Sequence, residues 1–213
     1  MSMRGQFITF EGTEGVGKST QLANAASTLE NLGVDVLVTR EPGGTPMAEH
    51  IRELLLATRD EVVHETTELL LMFAARAQHL HTRILPALDA GQWVLCDRFT
   101  DATFAYQGGG RGVSQERIAL LENLVQGNVR PDHVILFDAP VETGMARARR
   151  RGELDRFEQE DLEFFQRIRN TYLDRANEAP DRYHIINAAR PLNQVSEEVV
   201  QLLTGLLSPT GHG

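Results

Sequence analysis

In the stretch FEGTEGVGKSTQ, residues 10–21, Gly12, Gly17, Lys18 and Ser19 stand at the spacing G-x-x-x-x-G-K-[ST]. Glycines at these positions let the backbone wrap a polyphosphate with its N–H groups turned inward, and a helix that follows presents its positive end to the same anion. Lys18 can then reach the outer phosphates, and the Ser19 hydroxyl suits a magnesium ion. The spacing carries this meaning only between a strand and a helix, and both flanks qualify: QFITF reads as a buried strand and STQLANAASTLENLG as a helix. A glycine-rich turn without a ligand is the alternative. Lys18 is the only lysine of the chain, so arginine supplies every other fixed side-chain cation.

Two further groups could act on a phosphate. Asp97 and Arg98 end the run VLCDRF; an aspartate at a strand end can hold magnesium or its water, and an arginine there can grip a phosphoryl oxygen with its fork of N–H donors. An ion pair capping the strand is the plainer possibility. The segment MARARRRGELDRFE crowds Arg147, Arg149, Arg150, Arg151 and Arg156 into a chain of net charge -9. Like charges this close repel unless an anion lies among them, and phosphoryl transfer provides one, because its transition state spreads charge over oxygens that fixed cations stabilise. As a solvated helix end the run would need no ligand; as a lid it would exclude water and prevent wasteful hydrolysis. A guanine-reading Asn-Lys-x-Asp segment cannot occur after Lys18, which argues against a GTPase switch.

The elements that must position these groups follow from hydrophobic period. The runs QFITFEG, VDVLVTRE, WVLCDR, HVILFDA and YHIINA alternate with amphipathic segments, which predicts an α/β fold with a five-stranded parallel sheet between helices. Strands this apolar suit burial on both faces, and ligands of such sheets gather at the carboxyl edge. Helices are predicted at about 46–58, 66–90, 114–127, 141–150, 158–178 and 192–206. The segment 66–90 is richer in apolar residues than a solvated helix needs, which suits an oligomer interface, and Pro86 predicts a kink or an early end. Residues 108–110 and RRRGELDR read as loops, and SPTGHG, at about 208–213, as a frayed tail.

At 213 residues the alternation argues for one domain. No apolar run approaches the ~20 residues of a membrane helix and no signal sequence is apparent, so a cytoplasmic protein is expected. The acidic balance speaks against broad binding to nucleic acid or anionic membrane. The single cysteine, Cys96, reads as a buried, inert thiol, and His79 and His81 diverge on a helix, so the seven histidines offer no evident metal site.

Taken in order, FEGTEGVGKSTQ, TREPGGTP, DRFTDATFAYQGGGRG, RARRRGELDRFE and INAARP resemble the bacterial thymidylate kinases over about residues 7–206, with REPGG and DRF…AYQGG the specific part. The resemblance implies a three-layer α/β/α P-loop NTPase fold with a short arginine-rich lid at about 147–157. It also implies a homodimer that transfers the γ-phosphoryl group of ATP, with Mg2+, to dTMP, giving dTDP for dTTP synthesis. The implied ATP site comprises Gly12, Gly15, Gly17, Lys18, Ser19, Thr20, Arg147, Arg149 and Arg151, with the turn containing Ala188 and Pro191 at adenine. Ser19 and Asp97 would serve magnesium. Glu14 would accept a hydrogen bond from the deoxyribose 3′-hydroxyl, and Arg98 would bind the dTMP phosphate with Arg40 close by and Arg52 as a further candidate. Arg76 would donate to a thymine carbonyl, Thr103 and Gln107 would read other base edges, and Tyr106 would pack near the sugar. Lys18, Arg98, Arg151 and Glu14 would carry the catalytic roles, with Arg151 the transition-state contact from the lid.

Two positions depart from that pattern. The aromatic usually found four residues before the base-reading arginine is Met72 here, with Phe73 only three before Arg76. Both spacings share a helical face, so Phe73 stacked on thymine and Phe73 in the core are both open. INA also stands where an aspartate is usual after the isoleucine, which leaves backbone contacts to adenine possible. Two rival functions remain: a kinase for another mononucleotide or nucleoside, and a non-catalytic ATP-binding module, which leaves AYQGGG and the lid arginines unexplained.

Overall fold

The computed structural model describes residues 4–151 and 155–207, and of Arg151 only the backbone. Five strands, β1 (Phe7–Glu11), β2 (Val36–Arg40), β3 (Trp93–Asp97), β4 (His133–Asp138) and β5 (Tyr183–Asn187), form one parallel sheet in the order β2-β3-β1-β4-β5. The helices are α1 (Lys18–Asn31), α2 (Pro46–Leu56), α3 (Glu65–His79), α4 (Leu85–Asp89), α5 (Thr100–Thr103), α6 (Gln115–Gln126), α7 (Val141–Arg151), α8 (Leu162–Glu178) and α9 (Leu192–Leu207).

After β1 the chain first builds outward to one side of the sheet and later to the other, so the carboxyl end of β1 lies where the winding reverses. That is where open α/β sheets hold ligands. Register sharpens the edge: Asp97 stands opposite both Phe10 and Arg40, and Asp138 opposite Asn187. One face is closed by α1 and α9, whose Leu22, Leu29, Val195 and Leu203 pack on Ile8, Phe10 and Ile135. On the other face, Phe164, Phe165 and Ile168 of α8 meet Val134 and Leu136, while Leu80, Ile84 and Leu88 cover Phe7 and Val94.

Helix boundaries have local causes. Thr45 caps α2 by accepting from the Ala48 N–H at 3.2 Å, with Pro46 in the first turn. The helix expected from residue 158 begins later, because Asp161 accepts from the Phe164 N–H at 2.7 Å and caps α8 there. The long 66–90 segment is broken by a π-helical turn, Leu80–Ile84, with Pro86 in the first turn of α4; the break precedes the proline, whose missing N–H falls where a helix start does not need it.

The expected loop at residues 108–110 is instead the end of a π-helical turn, Phe104–Gly110, that continues α5. Its glycines serve close approach. A Cβ on Gly109 would meet the Thr171 hydroxyl at 2.1 Å, and one on Gly110 the Phe164 ring at 2.6 Å. The arginines expected at the start of the RRRGELDR loop belong to α7 as far as Arg151, while residues 152–154 and the tail 208–213 lie outside the described residues. Among the described residues no helix is long and apolar enough to cross a membrane. Cys96 is buried, and burial pushes its thiol pKa well up, which matches an inert group.

Candidate active site

Between β1 and α1 the chain turns through three glycines of positive φ, Gly12 (134°), Gly15 (69°) and Gly17 (88°). Gly17 caps α1 in the left-handed region with no side-chain bond, so the helix's first N–H groups are left for an anion. At Gly15 the requirement is also one of space: a Cβ would lie 1.9 Å from the Gly144 carbonyl oxygen, and one on Gly144 would lie 2.4 Å from the Glu14 oxygen. The loop therefore rests directly on the first turns of α7. Gly144 was not legible as a functional position, its only signal being a glycine inside a helical pattern. Lys18 is buried and its ammonium donates to the carbonyls of Thr13 (2.7 Å) and Gly12 (3.1 Å). Burial, reinforced by the charge of Arg98, lowers its pKa to about 8.

Arg98 follows β3 with φ 67°, an uncommon backbone for a non-glycine residue. Its guanidinium donates to the Gly12 carbonyl at 2.6 Å and to Glu14 Oε1 at 2.5 Å, and lies 4.8 Å from the Tyr106 ring centroid. The Tyr106 hydroxyl donates to the same Glu14 oxygen at 2.7 Å. Behind this turn stands Glu11, fully buried, accepting from the Phe99 N–H at 2.7 Å and the Tyr172 hydroxyl at 2.8 Å. Burial, and then the charge of Asp101, raise the Glu11 carboxyl to about 7. The sequence reading missed Glu11; its signal was a carboxylate ending an otherwise apolar strand. Asp97 Oδ2 is 3.5 Å from the Ser19 hydroxyl, and its Oδ1 is buried without a partner among the described residues. Hard oxygens of this kind fit magnesium.

A cleft of about 610 Å3 opens beside this loop. Of the residues singled out in the sequence, Glu14, Gly15, Gly17, Lys18, Ser19, Thr20, Arg52, Arg76, Asp97, Arg98, Thr103, Tyr106, Gln107 and Arg147 line it. Gly12 lies behind the loop, its carbonyl held by Lys18 and Arg98. Two residues weighed for the acceptor site do not line this cleft. Phe73 is buried with Leu69, Phe104 and Ile118, while Met72 lines the cleft; one step of about 100° around α3 turns the aromatic ring into the core. Arg40 is half-exposed and paired with Glu49 at 2.8 Å, whereas Arg52 lines the cleft and donates to the Pro42 carbonyl at 2.9 Å.

The cleft lining includes two incomplete polar groups. Arg76 donates through Nε to Glu41 (2.6 Å) and through Nη2 to the Phe99 carbonyl (3.1 Å) and the Thr103 hydroxyl (3.0 Å), leaving buried Nη1 without a partner among the described residues. Gln107, one helical turn beyond Thr103, donates Nε2 to Glu68 at 2.8 Å and leaves buried Oε1 without a partner among the described residues. Each orphan costs about 1–3 kcal/mol of lost hydration until something pairs with it. One donor and one acceptor together match a carbonyl beside a ring N–H.

Residues 10–199 match the family model described as thymidylate kinase. The chain belongs to the thymidylate kinase family. A thymidylate kinase of Pseudomonas entomophila (strain L48) is 60% identical over 205 residues, covering 96% of this chain and 98% of its own length. One of Teredinibacter turnerae is 58% identical over 205 residues, covering 96% of this chain and all of its own. The crystal structure of thymidylate kinase from Ehrlichia chaffeensis superposes with a TM-score of 0.75 at 36% identity, over 94% of this chain and 99% of that one. The sheet flanked by helices, with its phosphate loop, is therefore the P-loop NTPase fold of the thymidylate kinases.

For a member of the thymidylate kinase family the arginine-rich segment is the remaining part. Arg147 lines the cleft and donates to the Ala188 carbonyl at 2.9 Å, which ties α7 to the turn after β5. Arg149 and Arg150 are exposed on α7, the Arg151 side chain lies outside the described residues, and Pro191 opens the way into α9. Arg156 does not belong with an anion cluster. It donates to Glu68 at 2.6 Å and to the Leu55 carbonyl at 2.9 Å, so a buried carboxylate already neutralises it.

Proposed function

We propose that this cleft transfers the γ-phosphoryl group of ATP to dTMP, giving dTDP and ADP. The observation that carries the reading is the pairing of two features in one cavity: a phosphate loop, and the unpartnered donor and acceptor of Arg76 and Gln107. A thymine O4 would take the Arg76 N–H and its N3–H would donate to Gln107 Oε1. Met72 would form the apolar wall of the base site. Glu14 would receive the 3′-hydroxyl, and Tyr106, held against Glu14 and Arg98, would crowd a ribose 2′-hydroxyl. Adenine would lie along the turn containing Ala188 and Pro191.

The chemistry needs no covalent intermediate and no general base, because the acceptor phosphate is already anionic near neutral pH. Arg98 and Lys18 are held by main-chain carbonyls, and these groups would be exchanged for phosphoryl oxygens. Alignment of the acceptor oxygen with the γ-phosphate then supplies much of the rate. Asp97 and Ser19 would hold Mg2+, which would neutralise phosphate charge. Arg147, Arg149 and Arg151 would stabilise the charge spread over the transferring group, with Arg151 contributing most in the transition state.

A homodimer completes the reading. Leu70 on α3 and Leu120 and Leu124 on α6 are large apolar residues left exposed on two helices that pack together, and a second copy would cover them. We assign the chain to the cytoplasm, where its nucleotides are.

The base assignment is tested by Gln107→Ala. Loss of the acceptor for N3–H should narrow the preference for dTMP over dCMP by about tenfold, as removal of one buried hydrogen bond implies. An unaltered acceptor profile would remove Gln107 from base reading.

A further inference from the structure

Glu68 lies on α3 with its side chain 1% exposed, and no motif of the sequence singled it out. It gathers three groups from two other parts of the chain. Gln107 donates to its Oε1 at 2.8 Å, Arg156 donates to its Oε2 at 2.6 Å, and Arg111 approaches Oε1 at 3.6 Å while pairing with Glu160 at 2.6 Å. Arg156 stands near the end of the arginine-rich segment, five residues after Arg151, and is also fixed to the Leu55 carbonyl at 2.9 Å.

We infer that Glu68 is a positioning residue that sets which face of the Gln107 amide meets the base. An ionised carboxylate only accepts hydrogen bonds, so Gln107 must turn its NH2 group toward Glu68. The carbonyl is then the other end of the amide; Gln107 lines the cleft, and its buried Oε1 has no partner among the described residues. A cleft-facing acceptor selects a base with a protonated ring nitrogen and rejects cytosine, whose N3 is itself an acceptor. Arg156 donates to the same carboxylate and Arg111 lies beside it, so cations as well as the Gln107 amide meet its oxygens. The same carboxylate thereby ties base recognition to the end of the segment that carries the lid arginines. This inference rests on the assignment of Gln107 to base reading.

The test compares Glu68→Gln with the parent chain, using kcat and KM for dTMP, dUMP and dCMP. A glutamine at 68 has one acceptor, which the Arg156 guanidinium draws, because bonds to a charged donor are the stronger ones. Its NH2 group then faces Gln107, whose amide inverts and presents N–H groups to the base. The ratio of kcat/KM for dTMP to that for dCMP should fall about tenfold, through KM, as the exchange of one buried acceptor for a donor implies. The dTMP to dUMP ratio should stay constant, because both bases share the same imide edge. Glu68→Asp, which remains acceptor-only, should keep the parent ratios whatever it does to kcat. A purely structural role would instead lower all three acceptors together, and an unchanged dTMP to dCMP ratio in Glu68→Gln overturns the inference. Should the single variant unfold, Glu68→Leu/Arg156→Met removes the carboxylate together with its cation, leaves the Gln107 amide free to present either end to the base, and should lower the same dTMP to dCMP ratio. Gln107→Ala separates the two levels. If it leaves the acceptor profile unaltered, base reading by Gln107 itself is wrong; if it alters the profile while Glu68→Gln does not, only the role of Glu68 is wrong.

Discussion

Lys18 carries a titration that the site makes visible. A lysine ordinarily loses its proton near 10.5, but here burial and the neighbouring Arg98 bring this to about 8. As pH rises through that value the free protein loses the cation that would meet the outer phosphates of ATP. We therefore expect kcat/KM for ATP to fall above about pH 8 with a slope approaching tenfold per unit, while kcat, measured with nucleotide bound beside the lysine, stays flatter. A pH profile of both constants checks this; a flat kcat/KM to pH 9.5 would contradict it. The motif spacing made Lys18, Ser19 and Asp97 legible because each acts through its own chemistry at a fixed backbone position. Glu11, Glu41 and Glu68 were not legible. They act by holding the Phe99 N–H, Arg76 and Gln107 across sequence distances that no local pattern records.

At the scale of elements, the contact between the phosphate loop and α7 makes a prediction with two opposing terms. Replacing a glycine inside a helix by alanine ordinarily stabilises by about 1 kcal/mol. In Gly144→Ala the new Cβ would lie 2.4 Å from the Glu14 carbonyl oxygen, a backbone atom that cannot move without moving the loop. Overpacking of that kind costs about 1–3 kcal/mol, so the clash outweighs the propensity gain. The variant should melt below the parent and bind ATP several-fold more weakly; a higher Tm with unchanged ATP binding would contradict the close packing. Strand and helix order was legible from hydrophobic period alone, and each strand was placed within two residues at either end. What failed was local. The glycines after Gln107 looked like a loop because their closeness to α8 is tertiary, and Phe73 was left between base and core because helical spacing cannot say which side of α3 meets α6.

Across the whole molecule, the winding reversal beside β1 brings the ends of all five strands toward one edge, so that residues as far apart as Glu14, Arg76, Arg98 and Arg147 share one cleft. Leu70, Leu120 and Leu124 lie exposed on α3 and α6, and α3 also carries Glu68 and Arg76. Leu120→Glu/Leu124→Glu should halve the mass seen by sedimentation equilibrium while leaving the fold intact; an unchanged dimer, or a parent chain that is already monomeric, would remove α6 from the interface. Composition could not have located this face, since α6 was legible only as an ordinary amphipathic helix. The central claim, that phosphate loop and base site act on two nucleotides in one reaction, is tested most directly by ADP release from Mg-ATP with and without dTMP, dUMP, dCMP, UMP and thymidine. Release should be stimulated most strongly by dTMP. A protein that binds ATP but releases no more ADP with any acceptor would contradict it.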